Sequence, residues 1–227
     1  MNKSTVVLLT FSFWSGICSN LPAEERDPGP PNAPLQIENF SNSFVQKFPR
    51  HFRTFPFQGG KARQVYEVRE ENGNRYLAGK DDQDISIQIF RRFHWELEKH
   101  PIFQWRWRAR LLPQGAKESE PTKNDSACGV YVVFGGYTGN SLKYVWSSSL
   151  SVGTVAVKKP GKAYFVVMNR GSPGSWQEIK VDVLNDYQRI FKEKPRANPI
   201  GFGILTDGNA THSPSACDYD DFAVSRS

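Results

Sequence analysis

Arg106, Arg108 and Arg110 alternate with Trp105, Trp107 and Ala109 in the densest aromatic and cationic stretch of the chain, Gln104 to Leu112. A period of two sends side chains to opposite faces of a strand, so the guanidinium groups share one face and the indoles the other. Guanidinium donors are planar and forked, which suits carboxylates and sugar hydroxyls. The arginine face therefore reads either as the floor of a recognition groove or as a solvated face. Three aligned cations repel one another, and a groove needs acids or a ligand to neutralise them. The tryptophans belong to the core, where a sandwich needs large buried aromatics.

Other residues could add recognition chemistry. Tyr144 and Trp146 share a strand face, as a stacking platform for a sugar ring or as core. Asn169-Arg170-Gly171-Ser172 and Asp207-Gly208-Asn209 stand at strand ends in turn-forming sequence, either as binding loops or as plain turns. The candidate ligand-binding set is Arg106, Arg108, Tyr144, Trp146, Asn169, Asp207 and Asn209. Glycosidic hydrolysis would need two carboxyls flanking a cleft, and Asp182, Asp186 and Asp207 are not paired by spacing. His51, His94, His100 and His212 form no metal motif, and no nucleophile elbow is present. No catalytic residue, metal site or cofactor is assigned.

The elements that must position these residues are short strands. Leu35–Phe40, Arg63–Arg69 and Arg75–Ala78 alternate, with Glu71-Asn72-Gly73-Asn74 as a hairpin turn. Strands follow at Ile85–Phe93, Val130–Phe134, Leu142–Ser148, Ala163–Asn169, Trp176–Val183, Ile200–Leu205 and Asp220–Val224. Leu184, Tyr187, Ile190 and Phe191 fall at helical spacing, predicting one amphipathic helix over about Val183–Lys192. Pro113–Ala127 reads as a polar, exposed, mobile loop, and the segment between Ser148 and Ala163 as a linker. The pattern predicts an all-β fold, an antiparallel β-sandwich of jelly-roll type with one short amphipathic helix.

Composition narrows the function classes. At 38% hydrophobic and 13% aromatic the chain is too apolar for disorder. Its net charge of +6 comes from 29 basic residues scattered among 23 acidic ones, with no block to follow a phosphate backbone, so nucleic acid is not the expected partner. Lys3, the apolar run from Val6 to Trp14 and small residues near Ser19 have the order of an export signal over 1–19. Ser15-Gly16-Ile17-Cys18 also fits a relaxed lipobox, so soluble secretion and a lipid anchor at Cys18 both stay open. Residues 20–34 read as a linker and 35–227 as the folded domain. With Cys18 removed or lipidated, Cys128 and Cys217 remain as a disulfide pair suited to an oxidising compartment.

Trp105-Arg106-Trp107-Arg108, Val130-Tyr131-Val132-Val133-Phe134, Tyr144-Val145-Trp146, the Asp186–Lys194 helix and Thr206-Asp207-Gly208-Asn209 occur in that order. Together they resemble a bacterial exported family known only as domain of unknown function three-zero-four-seven, over roughly Leu35 to the C-terminus. The resemblance implies an exported domain and brings no activity. That family carries a longer Asp/Thr-rich run where this chain has Asp207-Gly208-Asn209-Ala210-Thr211. Ile37-Glu38-Asn39-Phe40 and Tyr219-Asp220-Asp221-Phe222 are similar to the paired terminal strands of jelly-roll carbohydrate-binding modules. That analogy raises calcium at Glu38 and Asp221, against solvation or pairing with arginines such as Arg226. Asp220 meanwhile sits on the same alternation phase as core-facing Phe222 and Val224, a costly place for an acid. The reading that follows is an exported, non-catalytic domain binding a glycan or other polar ligand at the cell envelope. A polysaccharide-acting hydrolase or lyase, and a structural protein docking an envelope partner, are the alternatives.

Overall fold

The tryptophan strand is β6 (Ile102–Leu111), and in the computed structural model it lies inside a sheet between β11 (Gln177–Asp182) and β13 (Ser215–Ser225). The structure describes residues 33–135 and 139–227. The expected export signal and Cys18 anchor, and nearly all of the linker, fall on 1–32, outside the described residues. Beyond β13 the first sheet continues with β4 (Asn74–Asp81) and β3 (Tyr66–Glu71), and β1 (Leu35–Glu38) pairs with the far end of β13. The second sheet runs β2 (Phe52–Arg53), β5 (Ile89–Arg92), β12 (Pro199–Leu205), β7 (Cys128–Phe134), β8 (Ser141–Ser147), β10 (Ala163–Arg170) and β9 (Val155–Lys159). All pairs are antiparallel except β8 with β10. The result is a β-sandwich of jelly-roll type.

Trp105 and Trp107 are 2% and 0% exposed and meet each other edge-on and Phe103, Tyr144 and Trp146 in tilted ring contacts between the sheets. Cys128 and Cys217 form a disulfide with Cα atoms 5.4 Å apart. The two strands are not neighbours in one sheet. β7 and β13 face each other across the sandwich, and the bridge ties sheet to sheet. Small residues let the layers close in there: Ala109 and Ala127 are fully buried beside the bridge strands. Tyr219 Oη reaches across from β13, 3.3 Å from the Gly129 amide and 3.2 Å from the Leu205 carbonyl.

Several elements depart from the alternation pattern. A seven-residue helix, α1 (Gly59–Val65), takes the first part of the expected strand Arg63–Arg69. The expected strand at Ile85 begins only at Ile89, because the Asp81 carboxylate captures the amides of Ile85 and Ser86 at 3.0 Å each and curls the chain. Asp84 and Ser86 adopt positive φ in that turn. The supposed linker after Ser148 contains β9. The expected helix is α2 (Val183–Phe191), capped by Asp182, whose side chain accepts from the Asn185 amide.

The loop expected to be exposed at 113–127 is exposed only in part. Ala116, Glu118, Asp125, Ser126 and Ala127 are buried. The misplaced acid on β13 has a simple cause. Asp221 sits at φ 53° in a bulge, and β13 slips by one residue against β6 between Asp220 and Ala223. The extra residue resets the alternation, so Asp220 points outward with Asp218 while Phe222 and Val224 stay in the core.

Candidate functional site

On the outer face of the first sheet the register sets Asp220 opposite Arg106 and Asp218 opposite Arg108. Arg106 reaches Asp220 and Asp221 at 2.7 Å each, and Arg108 reaches Asp218 at 2.7 Å and Glu71 at 3.0 Å. Trp176 covers both guanidinium groups at 4.8 Å, a paired cation–π contact. The repulsion expected of the arginine row is thus removed by protein carboxylates. Arg106 and Arg108 form a closed ladder, with few donors left for a ligand.

Beside that ladder the face is hollow. The outward positions of β4 and β13 carry Ala78 and Ala216, which leave space above the strands. Long side chains rise around them: Arg63 from α1, Arg69 from β3, Lys80 from β4 and Arg110 from β6. Glu67 and Asp218 are the acids of the rim, and the hollow encloses about 340 Å³. Arg69 pairs with Glu67 at 2.7 Å, Lys80 with Asp82 and Arg110 with Asp218, so three of the four cations already hold a carboxylate, while Arg63 donates to the Gly59 carbonyl. Arg110 is half exposed and touches Asp218 only at 3.3 Å.

The opposite, outer face of the second sheet holds a buried polar cluster. Lys143, outward on β8, is 3% exposed because the 113–127 loop folds over it. Its Nζ donates to Ser126 Oγ at 2.8 Å and lies 5.3 Å from the Tyr131 ring centre. Glu118 accepts from the Ser147 hydroxyl at 2.6 Å on one oxygen, while Oε1 has no partner. Asp207 Oδ1 also has none. Burial pushes the Glu118 and Asp207 carboxyls up and the Lys143 ammonium down, and Asp207, Glu118 and Asp125 partly restore the ammonium. Asp125 pins the Asp207–Thr211 turn by accepting from the Ala210 and Thr211 amides at 3.0 and 2.7 Å. Gly208 is required in that turn, since a Cβ there would stand 2.1 Å from the Ser213 carbonyl oxygen.

Residues 50–223 match the model of a family described as a protein of unknown function (DUF3047). The chain belongs to that family. No curated protein matches the sequence. Solved structures are similar at low identity. One is the xyloglucanase domain of NopAA, a type three effector from Sinorhizobium fredii, in complex with cellobiose: 9% identity, 78% of this chain and 100% of that chain, TM-score 0.40. Another is TmCBM61 in complex with β-1,4-galactotriose, with 10% identity, 83% and 99% coverage and a TM-score of 0.34. A third is the Clostridium thermocellum endo-1,4-β-D-xylanase 10B with its CBM22-1 and GH10 modules, complexed with xylohexaose. It has 9% identity, 86% and 29% coverage and a TM-score of 0.37. At such identities and scores these likenesses carry nothing about this family member's ligand.

The seven residues expected to bind a ligand lie in separate places. Arg106 and Arg108 are in the ladder. Tyr144 and Trp146 face the core, with Tyr144 Oη 3.1 Å from Asp186 and Trp146 Nε1 donating to the Gly171 carbonyl. No flat ring is left open for stacking there. Asn169 accepts from Trp107 Nε1 at 2.8 Å between the sheets. Asp207 joins the Lys143 cluster, and Asn209 is half-buried in the turn pinned by Asp125. Glu38 binds the Phe40 amide and pairs with Arg91 at 3.5 Å, so the calcium candidates Glu38 and Asp221 have separate protein partners, Arg91 and Arg106 rather than Arg226. Among the described residues no three His, Cys, Asp or Glu side chains gather as a metal site.

Sequence reasoning missed Lys143, Glu118 and Asp125, and also Arg63, Lys80 and Ala216. A lysine on an outward strand position reads as solvated until a loop is known to cover it. Gly129 inside β7 was an available signal, since glycine in a strand interior marks a close approach.

Proposed function

We propose that this is an exported domain that binds a glycan without catalysis, in the hollow above Ala78 and Ala216. The observation that carries the reading is that hollow, about 340 Å³ and rimmed by Arg63, Arg69, Lys80 and Arg110. Its size lies at the lower end of pockets that hold a small ligand, about 300–1,000 Å³. Its walls offer forked and ammonium donors, and its floor is two methyl groups, so it favours hydroxyl-rich and carboxylate-bearing sugars over apolar ligands. The inter-sheet disulfide supports passage through an oxidising compartment, and among the described residues no helix is long and apolar enough to cross a membrane.

The test is titration of the full chain with polygalacturonate and with a neutral galactan at two salt concentrations. Binding of the acidic polymer should weaken as salt rises, and Arg110→Ala or Lys80→Ala should weaken it by about tenfold, the order expected for a lost charged hydrogen bond. Equal binding of both polymers by both variants would place the ligand elsewhere. Release of reducing ends or unsaturated sugars by the purified protein would overturn the non-catalytic part and favour the polysaccharide-acting alternative.

A further inference from the structure

The buried cluster on the second sheet is unused by the hollow on the first, and its chemistry is specific. Strand alternation sends Lys143 outward, between inward-facing Leu142 and Tyr144. Gly129 on the neighbouring β7 lets the lysine lie flat, because a Cβ there would meet Lys143 Cε at 2.7 Å. The ammonium is thereby held under the 113–127 loop with one of its three donors placed on Ser126 Oγ. Glu118 is 6% exposed and leaves Oε1 without a partner. Glu118 and Lys143 line the same small cavity, about 60 Å³, with Asn124, Val157 and Lys158 also on its wall. Asp207, 3% exposed, adds a further unpartnered oxygen to the charge around the lysine.

A buried acceptor and a buried donor with spare capacity face one space, and each is costly to leave unmet. A hydroxyl serves both, donating to the carboxylate and accepting from the ammonium. The cavity has several times the ~10–15 Å³ that a single water needs. It is far below the ~300 Å³ at which pockets take a whole ligand. It therefore fits an end group rather than a sugar ring. We propose that the Glu118–Lys143 cavity is a binding pocket for the hydroxyl-bearing end of a sugar or polyol, a hydroxymethyl group or a terminal diol, held between the Glu118 carboxylate and the Lys143 ammonium. The pocket lies on the face opposite the arginine hollow and does not depend on the glycan reading of that hollow.

The experiment is an amide-resolved NMR titration of the full chain with glycerol and with methyl β-D-glucoside. The expected result is saturable shifts at Ser126, Gly129, Lys143 and Ser147. Val157 is 52% exposed on the cavity wall, so Val157→Trp can plug the space without disturbing the core, and it should abolish those shifts. Lys143→Met keeps the bulk, removes the donors and should weaken binding by roughly tenfold or more. If Lys143→Met fails to fold, the Val157→Trp comparison decides alone. Shifts that grow linearly without saturating, or saturable shifts that persist in Val157→Trp, overturn the pocket. Shifts confined to Ala78 and Ala216 also overturn it, because they place the probe in the hollow.

Discussion

Arg108 donates from Nε and Nη2 to a single oxygen, Asp218 Oδ2, at 2.9 and 2.7 Å. Burial pushes the Asp218 carboxyl up and Arg108 holds it down, so each group is tolerated because of the other. Removing Asp218 leaves the largely buried Arg108 with Glu71, a half-exposed carboxylate at 3.0 Å. Asp218→Ala should therefore cost about 3 kcal/mol, while the double change Arg108→Met with Asp218→Leu should recover most of it. Guanidinium chloride unfolding of the three proteins checks this. A cost below about 1 kcal/mol for Asp218→Ala would mean the pair behaves as a surface salt bridge.

The disulfide makes a separate prediction. Its partners are 89 residues apart, and the bridge joins the two sheets through the core. Constraining a loop of that length in the unfolded chain is worth roughly 4–5 kcal/mol in the chain-entropy account, an upper figure. Cys128→Ala with Cys217→Ala should lower the unfolding midpoint accordingly without altering the fold. Alkylation of the native protein under non-reducing conditions should label neither cysteine.

Gly129 tests whether Lys143 is held where it matters. Gly129→Ala would place a methyl group 2.7 Å from Lys143 Cε and 3.0 Å from the Leu205 carbonyl oxygen. The lysine stem must shift or the strands must part. Overpacking of this kind costs about 1–3 kcal/mol. Replacing Lys143 by Met in the same chain should not relieve the clash with the Leu205 oxygen. Thermal melts of Gly129→Ala with and without Lys143→Met separate the two contacts.

The sandwich was legible because its strongest strand has an unbroken period of two, Trp105 to Arg110, with nothing competing for a helical stripe. Features that reset the period were not. The bulge at Asp221 places a residue other than glycine at positive φ, with no glycine in the strand to announce it, so the alternation alone sends Asp220 into the core. The Asp81 carboxylate removed four residues from an expected strand by binding amides along the chain. Site residues were harder still, since Tyr144 and Trp146 have the composition of a stacking platform and the partners of core residues. Lys143, Glu118 and Asp207 come together only because a loop closes over a sheet, a long-range event with no local periodicity.

Glu118 offers a pH test with a definite sign. Burial raises its carboxyl above the ordinary range, although the Ser147 hydroxyl hydrogen bond opposes the shift. Below about pH 4 the carboxyl is protonated in both folded and unfolded chains and contributes no difference. As pH rises above that, the unfolded chain ionises first, and the folded state loses stability until its own carboxyl ionises. Glu118→Gln does not titrate, and its amide oxygen can still accept from Ser147. The variant should therefore gain on the wild type as pH rises from about 4 towards neutrality, and the gap should level off once the folded carboxyl has ionised. For a domain of this size each kcal/mol of gap appears as about 2–4 °C in melting temperature. Melting curves of both proteins at half-unit pH intervals measure it, and a gap that narrows as pH rises would show that Glu118 is held ionised by its neighbours rather than penalised by burial.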